Sequence, residues 1–420
     1  MNPQSKLNDR PRKRTAFTLV ELLITISIIA LMASMILFAF YAAQDAAKEA
    51  KTKSLIAKLD AVIKARWDSY KTRRVPILIQ DEFIDVNRNG VYDSGIDTQI
   101  SDYNGNGTWE IYSPSVRAKM RLDGLHDLMR LELPDRWTDI ADNPVTLAST
   151  ASSTVFISRP AASSSYQRRY LAGTPSDNFQ GAECLYLIIQ SCLAEEGDAK
   201  DIYKPDDVAD TDGDGYMEFV DGWKQPIRFL RWAPGFQNSE LQVAVMATVT
   251  GSPGGTVTLT GNALPVAAGS FLGGAIIGST GNGKPFDTTA MAKITGYSYA
   301  GGTATVSYTF VGASPSFSGQ VALTNPDPFD PRGVYPTAIA PQPPFALYPM
   351  IFSAGSNKCF GVVTDSATPL RYASSNLNPF FVTTGGTPEF IGTARDIPAE
   401  PNFVTNGWLD NIHNHMIGTR

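Results

Sequence analysis

The sequence predicts an α+β protein: one long N-terminal helix, then a head built largely on antiparallel strands. Three observations carry this expectation. Residues 17–40 form an apolar run whose only charge is Glu21, and residues 42–70 contain neither Gly nor Pro while repeating apolar side chains at three- and four-residue steps. Residues 241–325 alternate or run β-branched between Gly-rich turns, the pattern of strands. The 35 Gly and 28 Pro of the 420-residue chain fit many turns rather than a helical bundle.

Taken in order, residues 1–16 hold Lys6, Arg10, Arg12, Lys13 and Arg14 against one acid, Asp9. The apolar run from Phe17 to Phe40 follows. As a helix it would rise roughly 36 Å, enough to cross a bilayer. The basic flank keeps the N-terminus cytoplasmic and places the remainder in a periplasm-like space. The run is too long for the core of a cleaved secretory signal. A plain anchor leaves Glu21 unexplained, because a carboxylate in lipid costs a few kcal/mol and needs a partner.

The helix is expected to continue through residues 41–74. Leu55, Ile56, Leu59, Val62, Ile63, Trp67 and Tyr70 make one stripe, Lys51, Lys53, Lys58 and Lys64 stand between them, and Arg73, Arg74 and Pro76 end it. The bland reading of the stripe, core packing, suffices. Residues 75–240 read as an α/β head with acidic loops. Within it, 81–113 are loops, 115–133 a second helix, 145–180 irregular, and 181–197 a buried helix stopped by Gly197. Residues 241–325 read as a β-rich insertion. Residues 326–420 read as a Pro-rich connector followed by a C-terminal β segment.

The stretch RTAFTLVELLITISIIALMA closely resembles the N-terminal signal of type IV pilins and type II secretion pseudopilins. The resemblance implies cleavage between Ala16 and Phe17 by a prepilin peptidase, then methylation of the new amine on Phe17. Ala16 stands where the family usually has Gly. Glu21 is the fifth residue after the cut, and the resemblance gives it a partner: the N-terminal amine of a neighbouring subunit. Such a pairing relieves the cost of both charges and sets the height of each subunit. Three shorter stretches are similar to the β region of major-type pseudopilins: VDGWKQPIRFLRW, with Lys224 where Gly is expected; PMIFSAGSNKCFG, with Asn357 where Asp is common; and DNIHNH.

One loop has the spacing of a Ca²⁺ wrap. Asp210, Asp212, Asp214, Glu218 and Asp221 fall at positions 1, 3, 5, 9 and 12. Gly215 takes position 6, where the loop must turn sharply, and the Tyr216 carbonyl takes position 7. A solvated acidic turn is the competing reading. Major pseudopilins often bind Ca²⁺ in their C-terminal β-loop region, so the resemblance points the same way. Two weaker candidates lie upstream: Asp85, Asn87, Asn89 and Asp93 around Gly90, with Asp97 available near the end, and Asp102, Asn104, Asn106 and Glu110 around Gly107. Both lack the closing carboxylate, and Asn and Gly also make ordinary turns.

Cys184 and Cys192, eight residues apart on a helix, are too far apart for a disulfide. Cys359 is left open. His413 and His415, in a polar tail, are read as structural. The three His and three Cys make neither a zinc cluster nor a disulfide scaffold. A net charge of −6 with no basic stripe argues against nucleic acid. No nucleophile elbow, P-loop or dinucleotide fingerprint is present, so an enzyme is not expected.

These readings converge on a structural subunit, a pseudopilin of a type II secretion-like pseudopilus. Its expected partners are the prepilin peptidase/methyltransferase, other pseudopilins, the inner-membrane assembly platform and membrane lipid. Two alternatives stay open: a type IV minor pilin, and a membrane-anchored, calcium-dependent surface-binding protein.

Overall fold

The structure is a computed structural model. It describes residues 18–77, 81–100, 107–145, 147, 156–196, 203–236, 242–250, 254–260, 264–278, 290–310, 316–334, 345–364, 370–372, 381–384 and 387–416. The chain divides into two compact units, Met1–Ala50 and Lys51–Arg420. Helix α1, Leu19–Ser69, is continuous through the division and 51 residues long.

In the first unit every apolar side chain from Leu19 to Tyr41 is exposed. Hydroxyls inside this run are satisfied locally. Thr25 Oγ1 donates to the Leu22 carbonyl, Ser27 Oγ to Leu23 and Ser34 Oγ to Leu31, each within 2.8 Å. An exposed apolar cylinder with no unsatisfied hydroxyl is suited to lipid or to other helices, not water. The helix is long and apolar enough to cross a membrane.

The second unit follows the predicted stripe. Leu55, Ile56, Leu59, Ile63, Trp67 and Tyr70 are all buried in one core cluster, and Val62 packs against it. The Trp67 indole N–H donates to the Leu347 carbonyl at 2.9 Å. Beyond the helix come β1 (Phe83–Ile84) and β2 (Thr98–Gln99), an antiparallel pair closing the Asn-rich loop. Helix α2 is Pro114–Glu132, with Ser113 capping the Val116 N–H and Pro at its start. Helices α3 (Trp137–Ala141), α4 (Ala161–Leu171) and α5 (Gln180–Glu196) follow.

Helix α4 corrects the expectation that 145–180 is irregular. Its sequence, AASSSYQRRYL, joins strong helix formers (Ala, Gln, Arg, Leu) to three Ser, and Ser163 and Tyr166 are buried on one side, Tyr166 joining the main core. The Ser-rich flanks hid this short helix from the sequence pattern. Helix α5 matches its predicted bounds, with Leu185, Ile188 and Ile189 fully buried on the expected face. Cys184 and Cys359 are buried free thiols.

Strands β3 (Val208–Ala209) and β4 (Glu218–Phe219) pair antiparallel around the acidic loop. Strand β5 (Arg228–Leu230) is the edge of a three-stranded antiparallel sheet completed by β12 (Met350–Ser353) and β15 (Ile412–His413). Phe229, Ile351 and Ile412 of this sheet share a core with the α1 stripe, so the predicted packing of helix on sheet holds.

Between β5 and β12, strands β6 (Gln242–Val249), β7 (Gly254–Thr260), β8 (Ala275–Gly278), β9 (Ala290–Ala300), β10 (Thr303–Phe310) and β11 (Phe317–Thr324) form one antiparallel sheet in the order β6-β11-β8-β9-β10-β7. Its edge strands are sequence neighbours that approach each other, so the sheet curls around its own core of Val243, Val257, Ile276, Ile294, Val306 and Leu323. Strand residues alternate between faces. Accordingly Ile277, Met291 and Ala322, next in line to Ile276, Ala292 and Leu323, enter the main core instead. Strand β8 and the adjoining ends of β9 and β11 are therefore buried on both faces. A last hairpin joins β13 (Phe381–Thr384) to β14 (Thr387–Phe390).

Buried charges tie the helices together. His126 of α2 and Asp327 approach to 2.7 Å. Burial disfavours the imidazolium, but the Asp327 carboxylate, helped by Asp123 and Asp330, outweighs this and raises the His126 pKa. A raised histidine pKa stabilises the fold fully below the unfolded value, about 6.5, and this support is lost as pH rises through the folded value. The denaturation midpoint of the wild type should therefore exceed that of His126→Gln most clearly near about pH 6, with the gap shrinking toward about pH 9. A gap independent of pH would show that the charge of His126 is not used.

Candidate functional site

Two regions hold the functional candidates. The first is the start of α1. Ala16 and Phe17 lie outside the described residues. Glu21 sits in the first helical turn, exposed, and closes a reciprocal cap. Its Oε2 accepts from the Thr18 N–H and from Thr18 Oγ1, both at 2.9 Å, while Thr18 Oγ1 accepts from the Glu21 N–H at 3.3 Å. This is the Thr-x-x-Glu capping box, in which each side chain satisfies the other's orphaned donor. The single chain thus gives Glu21 a local role that reading it only as an assembly charge overlooked. The TLVE spacing was the available signal.

The second region is the acidic loop between β3 and β4. Asp210 opens it, its two oxygens accepting from the Gly213 N–H at 2.7 Å and the Gly215 N–H at 3.0 Å. Gly213 and Gly215 both take positive φ, +80° and +94°, which lets the loop wrap this tightly. Asp214 accepts from the Tyr216 N–H at 2.8 Å and from the Ser176 N–H at 2.6 Å. Asp212 Oδ2 accepts from Ser176 Oγ, and Glu218 Oε2 from the Thr211 N–H at 2.9 Å. Tyr216 sends its hydroxyl to the Arg169 carbonyl at 2.8 Å, fastening the loop to the end of α4.

Asp221 is placed differently from the spacing-based expectation. Its Oδ1 accepts from the Trp223 and Gln225 N–H groups, and its Oδ2 from Ser353 Oγ at 2.6 Å. It organises the following turn and joins β12, and it belongs to neither carboxylate cluster found among the described residues. Lys224 in that turn has φ +64°, which explains why a Gly suits the position. Two of the three short pseudopilin-like stretches meet through Asp221 and Ser353. The third joins through Asp410, whose Oδ2 accepts from Ser356 Oγ and the Asn357 N–H.

The residue missed by sequence spacing is Glu183, in the first turn of α5. Its carboxylate, that of Asp212 and that of Glu218 each bring an oxygen within 4.8 Å of the others; Asp210, Asp212 and Asp214 form a second, overlapping group. Four oxygens in the first group have no hydrogen-bond donor: both of Glu183, Oδ1 of Asp212 and Oε1 of Glu218. Glu183 is 1% exposed and Glu218 is fully buried. Burial, reinforced by Asp214, Asp212 and Glu218, pushes the Glu183 pKa up to about 9. Burial likewise raises Glu218 to about 7, against the opposing Thr211 hydrogen bond. No sequence rule links a helix residue 27 positions before the loop's opening acid to a contiguous loop motif.

The loop at 85–97 differs. Asp85 accepts from the Asn89 and Gly90 N–H groups, Asn87 and Asn89 both donate their side-chain amides to Asp93 Oδ2, and Asp97 accepts from the Val86 and Asp93 N–H groups. The loop satisfies itself, and it contributes no orphaned buried oxygen among the described residues. Of the other weak candidate, Asp102, Asn104 and Asn106 lie outside the described residues, and Glu110 accepts from Thr108 Oγ1 at 3.2 Å. His413 and His415 are packed against Phe236, and burial beside His415 lowers His413 to about 4.

Residues 11–37 match the family described as the prokaryotic N-terminal methylation motif. The match covers Arg12, Lys13 and Arg14 of the basic flank, the Ala16–Phe17 bond and the capping box, and stops within the apolar run. No curated protein and no solved structure matches the chain.

Proposed function

From the N-terminal methylation motif, the signature of prepilin-peptidase substrates of the pilin and pseudopilin type, we propose that this chain is a structural subunit of a type II secretion-like pseudopilus. A prepilin peptidase cuts between Ala16 and Phe17 and the Phe17 amine is methylated. The subunit then waits in the inner membrane with its start toward the cytoplasm and its head in the periplasm. An assembly platform moves it into a polymer of like subunits. The observation that carries this reading is the exposed apolar surface from Leu19 to Tyr41 with a single acid at its start. Lipid can cover that surface before assembly, and neighbouring α1 helices after it.

The resemblance of three stretches to major pseudopilins is what favours a secretion-type subunit over a surface pilus; hydrogen bonds from Ser353 to Asp221 and from Ser356 to Asp410 join those stretches. A type IV minor pilin is the second reading. A simple membrane-anchored binding protein has no use for the cleavage bond. The deciding measurement is intact mass of protein isolated from its own membrane. We expect residues 17–420 plus one methyl group. An unprocessed, unmethylated chain overturns the reading and leaves an anchor.

A further inference from the structure

We propose that Glu183 of α5 completes a Ca²⁺ site with Asp210, Asp212, Asp214 and Glu218, taking the closing place that spacing alone gives to Asp221. The ion would join α5 to the β3–β4 hairpin and so brace the helical part of the head against its acidic loop.

Buried carboxylate oxygens are hydrogen-bonded or bound to a cation, because an uncompensated buried charge is costly. Glu183 has neither oxygen met by a donor, and the groups whose charge acts on it are Asp214, Asp212 and Glu218, which as carboxylates only accept. Asp212 and Glu218, each with one orphaned oxygen, form with Glu183 a group in which an oxygen of each lies within 4.8 Å of the others, and Asp212 also links this group to Asp210 and Asp214. Oxygens bound to one Ca²⁺ at about 2.3–2.6 Å lie at most about 5 Å apart, so this spacing fits a shared ion.

The donor set is entirely hard oxygen, which selects Ca²⁺ or Mg²⁺ over softer metals. A crowded set of carboxylates from a loop, a strand and a helix favours the larger ion. Mg²⁺ demands near-ideal octahedral geometry and keeps its waters. The remaining oxygens of Asp210, Asp212, Asp214 and Glu218 are held by N–H and O–H donors, so the group is oriented before an ion arrives. Asp221 is occupied by three donors of its own.

The test uses the full chain in detergent micelles, stripped with EDTA, with thermal unfolding and calorimetric titration of Ca²⁺ and, separately, Mg²⁺. Wild type should unfold at higher temperature in Ca²⁺ than in EDTA, with a smaller gain in Mg²⁺. Glu183→Gln should weaken the tightest Ca²⁺ site about tenfold or more, since affinity follows the count of charged ligands. The same variant should melt above wild type in EDTA, because it removes the cost of keeping a buried carboxyl among like charges, and the order should reverse in Ca²⁺. Asp221→Asn should keep the Ca²⁺ affinity whatever it does to stability. Wild-type affinity in Glu183→Gln, or no effect of Ca²⁺ on wild-type unfolding, overturns the proposal. So does loss of Ca²⁺ affinity in Asp221→Asn with Glu183→Gln unaffected.

Discussion

Glu21→Gln should leave the protein in its membrane and cleaved after Ala16, yet largely absent from the assembled polymer. The substitution separates the two roles of this side chain. Gln serves the capping box as well as Glu does, so the Thr18–Glu21 box and the start of α1 survive. What is lost is the charge proposed to meet a neighbour's Phe17 amine. An ion pair at 4 Å with an effective dielectric near 20 is worth about 4 kcal/mol, or about a thousandfold in an equilibrium constant. Co-isolation of two differently tagged copies from the same cells measures the effect. Recovery should fall by about tenfold or more, even if only part of that energy is realised. Glu21→Ala, which removes cap and charge together, should do no better. If Glu21→Gln assembles like wild type, Glu21 is only a helix cap.

Arg130→Leu should destabilise the head by about 3–5 kcal/mol, the cost of leaving one member of a buried pair without its partner. Arg130 and Asp127 are completely buried, with Nε 2.7 Å from Oδ1. Arg130 also donates to the Asp139 carbonyl at 3.0 Å and the Asn143 carbonyl at 2.9 Å, stitching α2 to α3 and its exit. Burial already raises the Asp127 carboxyl above its ordinary value, with Arg130 opposing. Without Arg130 the folded pKa rises further. The charged form then penalises the fold at neutral pH, and the penalty shrinks as pH falls toward the unfolded value, about 3.9. Chemical denaturation of Arg130→Leu should thus show a deficit that narrows under mild acid. The double variant Arg130→Leu with Asp127→Asn should recover part of it, since no charge remains to bury. A deficit equal at all pH values would locate the loss in the carbonyl contacts instead.

Local pattern was enough where one element's own residues decide its state. The α1 stripe, the bounds of α2 and α5, and the strands of 242–324 rest on period and turn residues within a short window. The motif around Ala16–Glu21 is equally local, and the family match falls on the same residues, while the capping box within it emerged only from the structure. Local pattern failed at α4, a short helix hidden by Ser-rich flanks, whose Tyr166 enters the main core.

The candidate metal centre divides the same way. The spacing of Asp210, Asp212, Asp214, Gly215 and Glu218 stood out as a candidate because a Ca²⁺ loop would place its ligands at such fixed steps. That Asp221 serves a turn and Ser353, and that Glu183 arrives from α5, depends on how a helix packs on a hairpin. The sequence by itself determined the long helix, its membrane-length apolar half, the β-rich segment and the loop that turns at Gly215. Only the tertiary structure decided that β8 and the adjoining ends of β9 and β11 are buried on both faces, and which acids share one charge-crowded space. The reason is range: backbone period and turn geometry act over a few residues, whereas burial and charge crowding depend on segments far apart in the chain.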